Sequence, residues 1–305
     1  MTGEDNRDVI GEMASPVAER RPPDGFSELA ARVGDVTINY VRGGGGPPLV
    51  LLHGYPQTWY MWRKVMPALC RQYTVVAPDL RGAGDSSAPP GGYDKKTLAA
   101  DVHGLLGQLG LDDEVRIVGH DIGMMVAYAY AAEHPDSVRR LVLCEAPIPD
   151  QGLYQLPALT QGGPGLWNFG LFTVDNGLPE RIVAGRELLW VRHFIDALAI
   201  RRDAVGEDGM QEYARCLLDE AHLRASFGYF RTLAQDVADN AGYAQTPLPM
   251  PVLALGADGS LGPAVGTQVS HYGTDVRPGV VEDCGHWLFE EQPERMTQQV
   301  LEFLR

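Results

Sequence analysis

A chain of 305 residues, 45% hydrophobic and 21% charged, has the make-up of a globular protein with a sizeable core, either one large α/β unit carrying an insertion or two domains' worth of chain. With 25 Lys and Arg against 40 Asp and Glu, the net charge of −15 repels phosphate backbones and anionic headgroups, so neither nucleic acid nor a membrane surface is an expected partner. The longest apolar stretch, 122–132, is far short of the ~20 residues of a membrane span. No signal-peptide pattern opens the chain, and its four scattered cysteines lack metal-ligand spacing, so a cytoplasmic, free-thiol protein with no metal and no cofactor is expected.

Residues 1–24 are polar, acidic and aperiodic, which predicts a loosely ordered leader. Organised sequence begins at Asp35–Val41, whose alternation reads as a half-exposed strand. After the glycine run Gly43–Gly46, the apolar runs Leu49–Leu52, Tyr73–Ala77, Val115–Val118 and Val138–Leu143 suit strands buried on both faces of a parallel sheet. Ile122–Glu133 is apolar nearly all round and predicts a buried helix, stopped by Pro135. From about Asp150 to Thr246 the chain turns to Trp-, Phe- and Leu-rich helical stretches such as Arg186–Ile200 and Met210–Leu218, bracketed by prolines at 147, 149, 247, 249 and 251. Strand-like runs return at Val252–Leu255 and Gly279–Val281, and a last helix opens at Pro293 with Met296, Val300, Phe303 and Leu304 on one face. The pattern predicts an α/β fold: a mostly parallel central sheet flanked by helices, its core over 25–149 and 247–305 and a helical cap over 150–246.

Three short segments carry chemistry. Gly119-His120-Asp121-Ile122-Gly123 lies between a strand and a helix, the setting of a nucleophile elbow, with a carboxylate as the presented side chain. A carboxylate needs no activating base and suits in-line displacement at saturated carbon, giving an alkyl ester; the plainer reading of Asp121 is an acidic helix cap. His53-Gly54-Tyr55-Pro56 follows an early strand, where this architecture places one oxyanion-hole amide, so the Tyr55 and Ile122 N–H groups are the candidate donors and His53 reads as structural. Cys284-Gly285-His286-Trp287 sits between the last strand and the last helix, where a histidine could deprotonate the water that cleaves the ester.

Together HGYPQTWYMW, DLRGAGDSSAP, GHDIG and CGHW resemble the α/β-hydrolase superfamily, in its branch of epoxide hydrolases and haloalkane or haloacetate dehalogenases, over roughly Phe26 to Leu304. The EAPIPD segment at Glu145–Asp150 is similar to that of Cif-like bacterial epoxide hydrolases. The resemblance implies an α/β core with a helical cap, Asp121 as nucleophile, His286 as base and a two-step hydrolysis. Glu145 is favoured as the third triad member, with Asp258 as the alternative acid. A homodimer is the assembly the Cif-like resemblance implies.

The sequence departs from those relatives where an opened epoxide must be protonated. Their cap uses a tyrosine before an arginine, and a histidine after a tryptophan or a second tyrosine; here the positions read Phe230 before Arg231 and Asn168 after Trp167. Phe230 has no proton to give and Asn168 is no acid. Three readings stand open. Tyr229, Tyr154 or another cap tyrosine takes over in an epoxide hydrolase; the leaving group is a halide, served by the Trp167 and Asn168 N–H groups; or the fold has been repurposed for non-hydrolytic ligand binding. The aromatic set Trp59, Tyr60, Trp62, Trp167, Phe169, Phe172 and Tyr229 suits a small apolar or aromatic substrate, although any one of them could be packing alone.

Overall fold

The computed structural model describes residues 20–161, 163–164 and 166–305. Its central sheet has eight strands: β1 (Phe26–Val33), β2 (Val36–Gly44), β3 (Pro48–Leu52), β4 (Thr74–Pro78), β5 (Val115–His120), β6 (Val138–Cys144), β7 (Val252–Ala257) and β8 (Val276–Val281). Their spatial order is β1-β2-β4-β3-β5-β6-β7-β8. β2 is antiparallel to both β1 and β4, and every pairing from β4 to β8 is parallel. The runs that read as doubly covered strands are so: Leu49, Val50, Leu51, Val75, Ile117, Val118, Leu141 and Val142 are fully buried.

Two features differ from the sequence reading. Ordered strand begins at Phe26 rather than Asp35, because β1 pairs residue for residue with β2 as an edge strand whose side chains are mostly polar or half-exposed, and so leave little hydrophobic alternation. Of the expected leader, 1–24, residues 1–19 lie outside the described residues. At its end Arg20 is not loose: its guanidinium pairs with Glu28, Asp85 and the buried Glu212.

α1 (Lys95–Leu109) is capped by Asp94, whose side chain accepts the Thr97 N–H, and closed by the left-handed Gly110. α2 (Ile122–Glu133) is buried on all sides from Ile122 to Ala131. Between β6 and β7 the described residues form six α-helices: α3 (Trp167–Phe172), α4 (Leu178–Val183), α5 (Glu187–Leu198), α6 (Gly206–Arg215), α7 (Glu220–Arg231) and α8 (Leu233–Tyr243). α5 turns Val191, Phe194 and Ile195 inward at helical spacing. α8 packs on α1 and α2, and its Asp236 forms a buried ion pair with Lys95 at 2.7 Å. After β7, α9 (Pro263–Val269) covers the sheet edge, and α10 (Pro293–Leu304) buries Met296, Val300, Phe303 and Leu304, the stripe read from the sequence. Among the described residues no helix is long and apolar enough to cross a membrane, and no group of three or more His, Cys, Asp and Glu is arranged to hold a metal ion.

Candidate active site

β5 ends at His120 and α2 starts at Ile122, so Asp121 alone makes the turn, at φ 53° and ψ −122°. Such a conformation costs a residue with a Cβ about 1–3 kcal/mol. It persists because the surroundings admit little else. A Cβ on Gly119 would collide with the Gly123 carbonyl, and one on Gly123 with the Leu52 carbonyl, so strand and helix close backbone against backbone. The glycines of the motif are therefore required by close approach.

The Asp121 carboxylate points off the carboxyl ends of the parallel strands, into the space between the Tyr55 loop and His286. Oδ1 accepts the Tyr55 N–H at 2.8 Å, and the nearby Ile122 N–H also favours the anion. The other oxygen, Oδ2, lies 3.7 Å from His286 Nε2. Burial raises the Asp121 pKa above its ordinary value; the His286 charge and the two backbone N–H bonds oppose that, and Glu145 adds to it. The positive end of α2 also favours the anion. One oxygen is thus tied by the Tyr55 amide while its twin faces the imidazole.

His286 is held from three sides. Its N–H donates to the Leu198 carbonyl, its own carbonyl lies 2.7 Å from His120 Nε2, and its Nδ1 lies 3.1 Å from Glu145 Oε2. Glu145 stands just past β6 at φ 58°, 1% exposed, and its Oε1 accepts the Ala257 N–H at 2.6 Å. A carboxylate at Nδ1 fixes the proton there and leaves the Nε2 lone pair facing Asp121. Burial depresses the His286 pKa, but the Glu145 hydrogen bond and the charges of Asp121 and Glu145 outweigh it, so the net shift is upward. The structure therefore brings Asp121, His286 and Glu145 together with the Tyr55 and Ile122 amides. Asp258 is elsewhere: it accepts the Asp283 and Cys284 N–H groups, each at 3.1 Å, and braces the turn that leads to the histidine loop.

A base must be neutral to take a proton, so we expect ester hydrolysis to fall as pH drops through the His286 titration. In the ester the Asp121 charge, one of the influences that raise the His286 pKa, is gone, so this acid limb should lie below the His286 titration of the free enzyme. Single-turnover ester decay with no acid limb would contradict the assignment of His286.

His53 is structural, as its position suggested. Its Nδ1 faces the Gly54 carbonyl at 2.9 Å and its Nε2 accepts the Leu80 N–H at 2.9 Å. Two positioning residues were not singled out from the sequence. Glu291 is buried, and its carboxylate accepts four backbone N–H groups: Ile200 and Arg201 from the inserted segment, Gly285 and Trp287 from either side of His286. His120 is fully buried, with no partner at Nδ1, and burial pushes its pKa well down, so it stays neutral and its Nε2–H donates to the His286 carbonyl. The glutamate reads in sequence as one of two adjacent acids on a helix, and only the adjacency of His120 to the elbow hinted at its role.

The cap candidates divide. Phe230 meets Tyr55 edge-on with ring centroids 5.3 Å apart and packs on Phe172 at 4.6 Å. Trp167 is 37% exposed and stacks on Phe194, while Asn168 is half-buried and its amide makes no hydrogen bond to another described residue. Tyr229 is a correction to the sequence reading. Its hydroxyl donates to the Arg81 carbonyl at 2.6 Å, because adjacent helix residues point roughly 100° apart and Phe230 takes the direction of Tyr55. Tyr154 is 60% exposed.

A parallel sheet whose fifth strand runs into a strained acidic elbow, with a histidine after the last strand, is the architecture of an α/β-hydrolase. A family model described as the alpha/beta hydrolase fold matches residues 47–173. The soluble epoxide hydrolase of Corynebacterium sp. (strain C12) is 34% identical over 283 residues, covering 90% of this chain and 95% of that protein. The fluoroacetate dehalogenase of Burkholderia sp. is 45% identical over 213 residues, 67% and 68% of the respective chains. Among solved structures, the Cif epoxide hydrolase from Acinetobacter nosocomialis superposes with a TM-score of 0.89 at 26% identity, covering 93% of this chain and 91% of that one. The chain belongs to the α/β-hydrolase family, in the branch that holds the epoxide hydrolases and dehalogenases, and is a hydrolase.

Proposed function

We propose that the protein hydrolyses a small, neutral, apolar or aromatic epoxide in two steps. Asp121 Oδ2 attacks an epoxide carbon and forms an ester. His286, oriented by Glu145, then draws a proton from water, which adds to the ester carbonyl. Charge develops on Oδ1, where the Tyr55 N–H already donates at 2.8 Å and the Ile122 N–H is the second candidate donor. The observation that carries this reading is the division of labour within one carboxylate, the Tyr55 amide on Oδ1 and the imidazole 3.7 Å from Oδ2. The similarity to a soluble epoxide hydrolase over nearly its whole length supports it.

The same displacement with a halide as leaving group is the second reading, favoured by Phe230 and by the unengaged amide of Asn168, since a halide needs no proton. A haloacid is disfavoured relative to a neutral substrate. Lys95 is held by Asp236 at 2.7 Å, and Arg81 is held by both oxygens of Asp101. An anionic substrate would meet the Asp121 charge without either cation.

The test is one turnover in heavy-oxygen water with enzyme in excess. The ester route leaves the diol unlabelled and puts one heavy oxygen into the peptide that contains Asp121. A labelled diol with an unlabelled peptide would mean direct attack by water and would refute the proposal.

A further inference from the structure

Opening an epoxide puts an electron pair on oxygen, and that oxygen needs a proton. Phe230 has none, and the buried tyrosines Tyr229, Tyr213 and Tyr93 each donate their hydroxyl to a protein acceptor: the Arg81 carbonyl, the Glu290 carboxylate and the Pro89 carbonyl. Tyr55 differs. Its backbone N–H holds Asp121 Oδ1, and its side chain rises into the inserted helices, with its ring against Phe172 of α3, Phe194 of α5 and Phe230 of α7. The phenol oxygen accepts the Trp190 indole N–H at 2.7 Å, and no carbonyl or carboxylate among the described residues takes the phenol's own proton. Ser226 lies beside it with its own proton donated to the Leu223 carbonyl, so the acceptor left to the phenol proton is a neutral hydroxyl oxygen, weaker than the carbonyls and carboxylate that hold the other three. Tyr55 is 7% exposed, and the residue that carries this phenol holds Asp121 Oδ1 through its backbone N–H at 2.8 Å. Tyr55 and Phe230 thus form an edge-on pair in which the hydroxyl stands on the core-borne ring and the cap-borne ring is bare.

The geometry points to the Tyr55 hydroxyl as the proton donor to the leaving oxygen, with Trp190 as the residue that positions it; this rests on the epoxide reading above. As Asp121 Oδ2 bonds to carbon, the carbon–oxygen bond breaks with its electron pair moving to oxygen. The Tyr55 proton passes to that oxygen, and the resulting phenolate is hydrogen-bonded by the Trp190 N–H. In the second step His286 takes a proton from water and returns it to the departing alcohol oxygen. The carboxylic acid formed at Asp121 then reprotonates the phenolate. Epoxide and water are consumed, diol is formed, and both side chains regain their starting states.

Tyr55→Phe keeps the backbone amide and removes only the hydroxyl. Made in a His286→Gln background, where the ester persists, it is read by intact mass as the rate of Asp121 alkylation by styrene oxide and by phenethyl bromide. The bromide leaves without a proton, so the epoxide-to-bromide rate ratio isolates the donor. That ratio is expected to fall about 100-fold. Trp190→Phe, with Tyr55 intact, should lower it in the same direction by less. An unchanged ratio in Tyr55→Phe overturns the assignment, and if that variant does not fold, an unchanged ratio in Trp190→Phe does so. A His286→Gln parent that reacts with the bromide alone removes the epoxide and its donor together. A parent inert to both removes the ester mechanism itself.

Discussion

His286→Gln is expected to turn a catalyst into a single-use reagent. With epoxide in excess, one equivalent of substrate becomes bound to Asp121, and steady-state turnover falls by about 10²–10⁴, the contribution of a positioned general base. The two steps part company because the first does not need the imidazole. In the proposed mechanism Asp121 is its own nucleophile, and the Tyr55 N–H that holds its Oδ1 is untouched by the substitution. Removing the histidine also removes a neighbouring positive charge that favours the Asp121 anion, so alkylation should slow modestly and shift to higher pH. Glutamine still offers an N–H to Glu145, so the buried carboxylate is not stranded and the fold should hold. Intact-mass spectrometry measures the adduct and steady-state assay the turnover. Undiminished turnover, or an adduct on another residue, would remove His286 or Asp121 from the role assigned.

Which of these residues the sequence disclosed follows from how local their signals are. Helix 122–133 was legible to the residue from an unbroken apolar run, and the start and buried face of helix 293–304 from Pro293 and a 3.6-residue stripe. The elbow was legible because its glycines answer a local demand, backbone contact across one tight turn. β1 was not, since an edge strand that buries little carries little pattern. Glu145 came from likeness to relatives rather than from spacing; its bond to an imidazole 141 residues away is tertiary. Glu291 and the Tyr55 hydroxyl were harder still. A glutamate before Gln-Pro looks like any solvated acid until two amides from a segment some 90 residues away and two from the adjacent histidine loop converge on it. Tyr55 was read for its amide alone, because its hydroxyl gains meaning only once Phe230 and Trp190 are folded against it.

Glu145→Gln should be nearly as damaging as loss of the histidine itself, although it deletes one charge and keeps the shape. Glu145 Oε1 accepts the Ala257 N–H at 2.6 Å, so the glutamine must keep its carbonyl oxygen there, and its NH2 group is left facing His286 Nδ1. Nδ1 then has to accept. The imidazole proton moves to Nε2, and the lone pair that should take a proton from water is gone. A change of this kind at the acid of a serine-protease triad lowers kcat about 10⁴-fold with the geometry intact, and a loss of about 10³–10⁴ is expected in ester hydrolysis here. Ester formation should be far less affected, so the adduct accumulates as in His286→Gln. What separates the two variants is pH. Loss of the Glu145 hydrogen bond and charge removes two of the influences that raise the His286 pKa, leaving burial to depress it, so any residual activity should have its acid limb displaced downward. Both hydrogen bonds of the carboxylate are replaced, so thermal stability should change little, which makes lost activity attributable to the tautomer. Asp258→Asn is the control, since that side chain braces a turn at the surface and does not face the ring. If Asp258→Asn stalls ester hydrolysis while Glu145→Gln leaves it intact, the third triad position passes to Asp258 and the tautomer argument fails with it.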